Sequence, residues 1–387
     1  MKKIIFGAMA AVALLACSKD QVIEQNRAND EIAFSVVADN QTKAQAVYCA
    51  NNLMNGFKVS GTYNDGTNTN WYFQDDVIEK SGSAWNNTTT TRYWSAGTHN
   101  FYAIVNGEMT HGVATAAPTV EGFAPATNVA AQKDLLYAVA IGKTKSASVA
   151  LNFRHALSQI EFKAKNTNSD LHVEITGVKV GQTPGEGDFA FPTTATDDNF
   201  VDHTQATTHT YTTGTWSNQG TPTDYSVSFS EVTVAGNNTA VGLTLSNDNE
   251  NVANSMLLVP TPATTQWVPG QAFTGKTYLA VKCAIYNVAG TSFDSTTDVC
   301  LHNGWAVIPV SFTWEPGKKY IYTFVFGAGN GGYDGGDDPD DPTPGTNPVL
   351  SPITYTVTVD DFQKGDYQFD SEDVDTVNDN NDVNMKF

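Results

Sequence analysis

The chain has 387 residues, 40% of them apolar and only 16% charged, and its net charge is −20. Three arginines against a large acidic excess exclude nucleic-acid binding, which needs clustered Lys and Arg to meet phosphates. The 20 Phe, 15 Tyr and 7 Trp suffice for large cores, and the abundant Thr, Asn, Ser and Gly point to an all-β protein of strands joined by polar turns.

In chain order, Met1-Lys2-Lys3 is a short basic start, and Ile4 to Ala16 is an apolar stretch. It is too short for a membrane helix of ~20 residues and suits the apolar part of a secretory signal peptide. Leu14-Leu15-Ala16-Cys17 resembles a bacterial lipobox, which implies cleavage before Cys17 and lipid on its thiol and new amino group. Several acyl chains make a durable anchor, since each buried CH₂ adds ~0.8 kcal/mol. Residues 1–16 are expected as a lipoprotein signal peptide and 17–30 as a tether. The plainer alternative is a secreted chain in which Cys17 is incidental.

The segment "EIAFSVVAD" alternates, with Ile32, Phe34 and Val36 on one side and Ala33 and Ser35 on the other, which predicts a half-buried strand. Strand candidates follow in "GFKVSGTY", "NWYFQDDVIEK", "TRYWSAGTHNFYAIV" and "KDLLYAVA", separated by turn residues such as Asn64-Asp65-Gly66 and Ser81-Gly82-Ser83. "NLMNGF" reads as the end of a short helix. A second series includes "HVEITGVKV", "DYSVSFSEVTV", "KTYLAVKCAIYNV", "TDVCLHNGWAVIPV" and "KKYIYTFVF". Counting strands into two groups predicts sandwiches over 31–147 and 148–327.

Chemistry-bearing residues are sparse. With Cys17 set aside, Cys49, Cys283 and Cys300 remain; Cys283 and Cys300 lie on neighbouring strand candidates and are read either as a disulfide or as two thiols. His155 reads as packed or hydrogen-bonded within a strand. His203 and His209 share a Thr-rich loop, with metal binding the weaker reading. Trp71, Trp85 and Trp94 suit either core packing or a sugar-stacking surface. No nucleophile elbow, zinc helix or phosphate loop is present, so no enzyme, cofactor or metal site is expected.

Residues 328–349 hold "DGGDDPDDP", which reads as a self-repelling disordered linker rather than a Ca²⁺ loop, because the EF-hand spacing is missing. Beyond it, residues 350–387 comprise a strand and an acidic tail. In "SPITYTVTVDDF", Ile353, Tyr355, Val357 and Val359 alternate with threonines, the cleanest period of two in the chain. Burying four such side chains contributes about 6–12 kcal/mol gross. Left exposed, the strand is an association hazard. Two docking modes are open: along its own second sandwich, or into a neighbouring copy by strand addition, which propagates head-to-tail as a filament.

Four stretches carry a resemblance to a known family: the lipobox, "QKDLLYA" (132–138) followed by "LNFRHALSQIEFKA" (151–164), "WEPGKKYIYTFVF" (314–326) and "ITYTVTVDDF" (353–362). In this order they resemble the fimbrillin-like lipoproteins of Bacteroides-type bacteria, pilus and pilus-associated subunits. The resemblance implies two tandem transthyretin-like β-sandwich domains and a non-enzymatic surface pilus subunit. It implies export as an outer-membrane lipoprotein with Cys17 as the lipid site and other pilus subunits as partners. It further implies cleavage by an Arg-specific protease between Arg27 and Ala28, and a donor strand at Ile353, Tyr355, Val357 and Val359. Arg27 precedes the first strand, so a cut there releases the lipid yet opens no groove, unlike the shaft subunits of the family. The alternative is a monomeric outer-membrane lipoprotein that binds a glycan or host ligand.

Overall fold

A computed structural model describes residues 30–36, 56–82, 84–195, 213–244, 255–290, 292–329, 332–335 and 344–361. These form four β-sheets and one short 3₁₀ turn at Val129–Ala131. The first sheet has eight strands in the order β8 (Val149–Leu151), β1 (Phe34–Val36), β4 (Ala84–Asn87), β3 (Thr69–Ser81), β2 (Gly56–Asn64), β5 (Thr98–Val105), β7 (Leu136–Lys143) and β9 (Arg154–His155). Its alternating apolar residues meet one another. Phe34 stands 5.5 Å from Phe101 and Phe57 stands 5.2 Å from Phe153, ring centre to ring centre. A sheet whose ends share one core must curl over itself, and Phe73, Ile78, Ala138 and Leu151 fill the fold.

Two further sheets face each other as a sandwich. One carries β15 (Val241–Thr244), β10 (Ser158–Asn166), β19 (Lys318–Phe326) and β21 (Ile353–Asp361), with β16 (Met256–Leu258) also on β10. The other carries β14 (Pro222–Val234), β11 (Leu171–Pro184), β17 (Tyr278–Asn287), β18 (Val299–Pro309) and β20 (Tyr333–Asp334). Between them Ile160, Phe162, Tyr322 and Phe324 pack against Val173, Ile175, Val281 and Ile308. A three-stranded sheet, β13 (Thr215–Ser217), β12 (Gly187–Ala190) and β6 (Thr119–Phe123), lies over the outer face of the first. There Phe189 and Phe191 meet Tyr102 and Tyr137.

Strand pairing crosses residues 147/148. β8 runs parallel to β1, and β9 pairs with β7, so the first sheet extends to His155. β6 pairs with β12 across the same divide. Alternation tells that 149–155 is extended, but not which sheet completes it. The expected disordered linker is also partly built in. Tyr333 packs edge-on to Trp267, with 5.6 Å between ring centres, and Val349 N–H donates to Gly332 O. Gly335 N–H donates to Trp305 O, and a Cβ on Gly335 would lie 2.5 Å from Trp305 Cβ. This glycine serves close approach rather than flexibility. Residues 336–343 and the helical reading at 52–55 lie outside the described residues.

Candidate functional site

β21 lies antiparallel to β19 through nine register pairs, from Phe326↔Ile353 to Lys318↔Asp361. The apolar alternation of both strands sets this register, since a one-residue slip would turn every side chain to the opposite face. Ile353, Tyr355, Val357 and Val359 stand opposite Phe326, Phe324, Tyr322 and Tyr320. Cover is uneven along the strand: Ile353 is fully buried, whereas Val357 and Val359 remain 46% and 54% exposed. The start is held firmly. Gly327 N–H donates to Pro352 O at 3.0 Å, Ser351 is buried, and Gly329 and Gly332 sit close against Thr354 and Ile353. Tyr355 lies 6.2 Å from Tyr322, and burial raises the pKa of both phenols, most strongly at Tyr322, which accepts from Trp314 Nε1 at 3.0 Å. At the far end the register sets Lys318 and Lys319 opposite Asp361 and Asp360. Among the described strands, β21 has a neighbour on one side only.

Several buried polar groups tie strands together. His155 Nδ1 meets Asp134 Oδ2 at 2.5 Å, both fully buried, which joins the two halves of the "KDLLYA…NFRH" pattern. Arg92 grips buried Asp76 with two hydrogen bonds, at 2.7 and 2.9 Å, and that bonding raises the guanidinium pKa. Ser60, His111 and Asp75 approach a Ser-His-Asp arrangement, with Ser60 Oγ 2.8 Å from His111 Nε2. But Asp75 Oδ2 is 3.7 Å from His111 Nδ1, and Ser60 Oγ is enclosed and accepts from Asp75 N–H. A nucleophile must reach substrate, so this group serves to pin the loop carrying His111 to the first sheet. Trp71 Nε1 donates to Gly112 O in the same loop. Trp85 packs on Phe57, and Trp94 packs on His99 and Phe101.

Cys283 and Cys300 are free thiols, the first in the core with its pKa raised by burial and the second exposed. They face Gly304 and Tyr286 across β17–β18, not each other, so the register leaves no bridge between them. Among the described residues no group of three or more His, Cys, Asp or Glu could hold a metal ion, and no helix is long and apolar enough to cross a membrane. Cys17, Arg27, Ala28, Cys49, His203 and His209 lie outside the described residues.

The molecule is thus an all-β protein of packed sheets, and the last of its described strands occupies a sheet edge. The chain belongs to the fimbrillin-like family, whose model matches residues 22–336, a span that ends before β21. No curated protein matches the chain. Among solved structures, a cell-adhesion candidate from Bacteroides uniformis is 12% identical, with 87% of this chain and 99% of that chain covered and a TM-score of 0.42. Another from Bacteroides ovatus is 15% identical, covering 86% and 96%, with a TM-score of 0.43. A third from Parabacteroides distasonis is 10% identical, covering 86% and 98%, with a TM-score of 0.42.

Proposed function

We propose that the chain is a non-enzymatic surface subunit of the pilus type, exported as a lipoprotein acylated on Cys17 and assembled by β-strand addition between copies or related subunits. Family membership supports the surface and adhesion reading. The observation that carries the assembly step is β21: an edge-placed strand, half uncovered, that follows a Gly-, Asp- and Pro-rich segment. Its antiparallel pairing with β19 is the resting arrangement, and a strand of this pattern supplies both backbone hydrogen bonds and alternate side chains to an acceptor groove. Processing between Arg27 and Ala28 frees the subunit from its lipid while leaving β1, which starts at Phe34, in place.

Deleting residues 350–387 tests this reading. SDS-resistant ladders on the cell surface should disappear; ladders that persist reject β21 as the donor. N-terminal sequencing of the surface form should begin at Ala28. A blocked terminus instead supports a permanently lipidated monomer that binds a glycan or host ligand, the reading that full pairing of β21 within its own chain also favours.

A further inference from the structure

The outer edge of β21 raises a question that strand exchange does not answer. Val357 and Val359 sit on the core-side face of the sheet, opposite buried Tyr322 and Tyr320, yet each is about half exposed. Gly329 and Gly332 sit close against Thr354 and Ile353, so the open stretch begins at Tyr355. An edge strand with apolar residues and unpaired backbone groups is a template for another strand.

We propose that this edge is a two-fold interface at which a second copy of the chain pairs its own β21, antiparallel and centred on Val357, while each β21 stays on its own β19. The sequence is self-complementary in this register. Val357 meets its symmetry mate, Tyr355 meets Val359, and Thr356 meets Thr358 on the other face. Asp360 and Asp361 fall beyond the five-residue overlap, so no acidic positions oppose one another in a chain of net charge −20. A register shifted toward the carboxyl end draws the acids into the overlap, and a shift toward the amino end runs into the crowded start. Paired this way, the two edge strands become one continuous sheet across the dimer. The symmetry closes, so the product is a dimer rather than a filament.

The inference does not rest on strand exchange, and one variant separates the two. Thr323 and Thr356 are register partners. A Thr323→Cys/Thr356→Cys disulfide ties β21 to its own β19 and blocks exchange while leaving the outer edge free. Sedimentation velocity on the full chain should show a concentration-dependent dimer that survives this lock. Val357→Lys and Val359→Lys, both at half-exposed positions, should each weaken dimerisation at least tenfold while leaving the circular dichroism spectrum unchanged. With Cys17, Cys49 and Cys300 replaced by Ser, Val357→Cys should oxidise to a covalent dimer; Val299→Cys, more exposed and on another strand, should not. A monomer at 100 µM, or a dimer indifferent to both lysine substitutions, overturns the proposal. Ladders lost in the locked variant while the dimer persists support both readings separately.

Discussion

Individual buried residues set where this fold is vulnerable. Asp134 and His155 are buried within hydrogen-bond distance of each other, and removing His155 takes that partner from the buried Asp134 carboxyl. Removing one member of a buried hydrogen-bonded pair costs about 1–3 kcal/mol. His155→Ala should therefore lower the urea midpoint sharply at neutral pH, whereas Lys145→Ala, at an exposed pair with Asp30, should stay within about 1 kcal/mol of wild type. A second residue-scale effect concerns acid. His99 is buried against Phe101 and Trp94, and burial holds its pKa below the ordinary value, so the folded state keeps the ring neutral. The unfolded chain takes up a proton near pH ~6.5 while the folded chain does not. Stability should fall as pH drops below that value and level off under the lowered one. His99→Phe should flatten that slope in urea titrations between pH 7 and 5.

Elements show how far a single pattern carries. In β21 the four apolar residues look equivalent as sequence, but the sheet buries them by degrees from Ile353 to Val359. Ile353→Ala should cost about 2–5 kcal/mol, and Val359→Ala should cost well under half of that, because only the first leaves a cavity in a closed core. Thermal unfolding of the two variants checks the gradient; equal costs would mean the open end is covered in solution. The strand itself was legible in its alternation, as was β19, whose Tyr320, Tyr322 and Phe324 line the sandwich core. β20 was not legible. Tyr333 stands among Gly and Asp, and only Trp267 and the β18 edge make that short stretch a strand.

For the whole molecule, the net charge of −20 acts on every encounter between copies. Like-charged surfaces repel over a Debye length of about 10 Å at 0.1 M salt. Raising NaCl from 20 to 500 mM should therefore speed assembly of purified subunits and raise the multimer fraction in light scattering. A fall in that fraction would show that ion pairs between copies, rather than apolar strand contacts, hold the assembly. The curled first sheet and the sandwich behind it also divide differently from a simple count of strands. β8 and β9 close the first sheet although they follow its expected end, and β6 pairs with β12 from the other half.

The amino-acid sequence by itself determined that the fold is of the all-β class, where most of the described strands run and which of their faces are apolar. Those are local properties, set by period-two alternation and turn chemistry over a few residues. It also carried the family resemblance, because the motif order survives without coordinates. Only the tertiary structure decided which strands pair, that Asp134 meets His155, that Cys283 and Cys300 stand apart, and that β21 is closed at one end and open at the other. Pairing partners and depth of burial depend on segments far apart in the chain, and alternation is identical for a strand in either sheet.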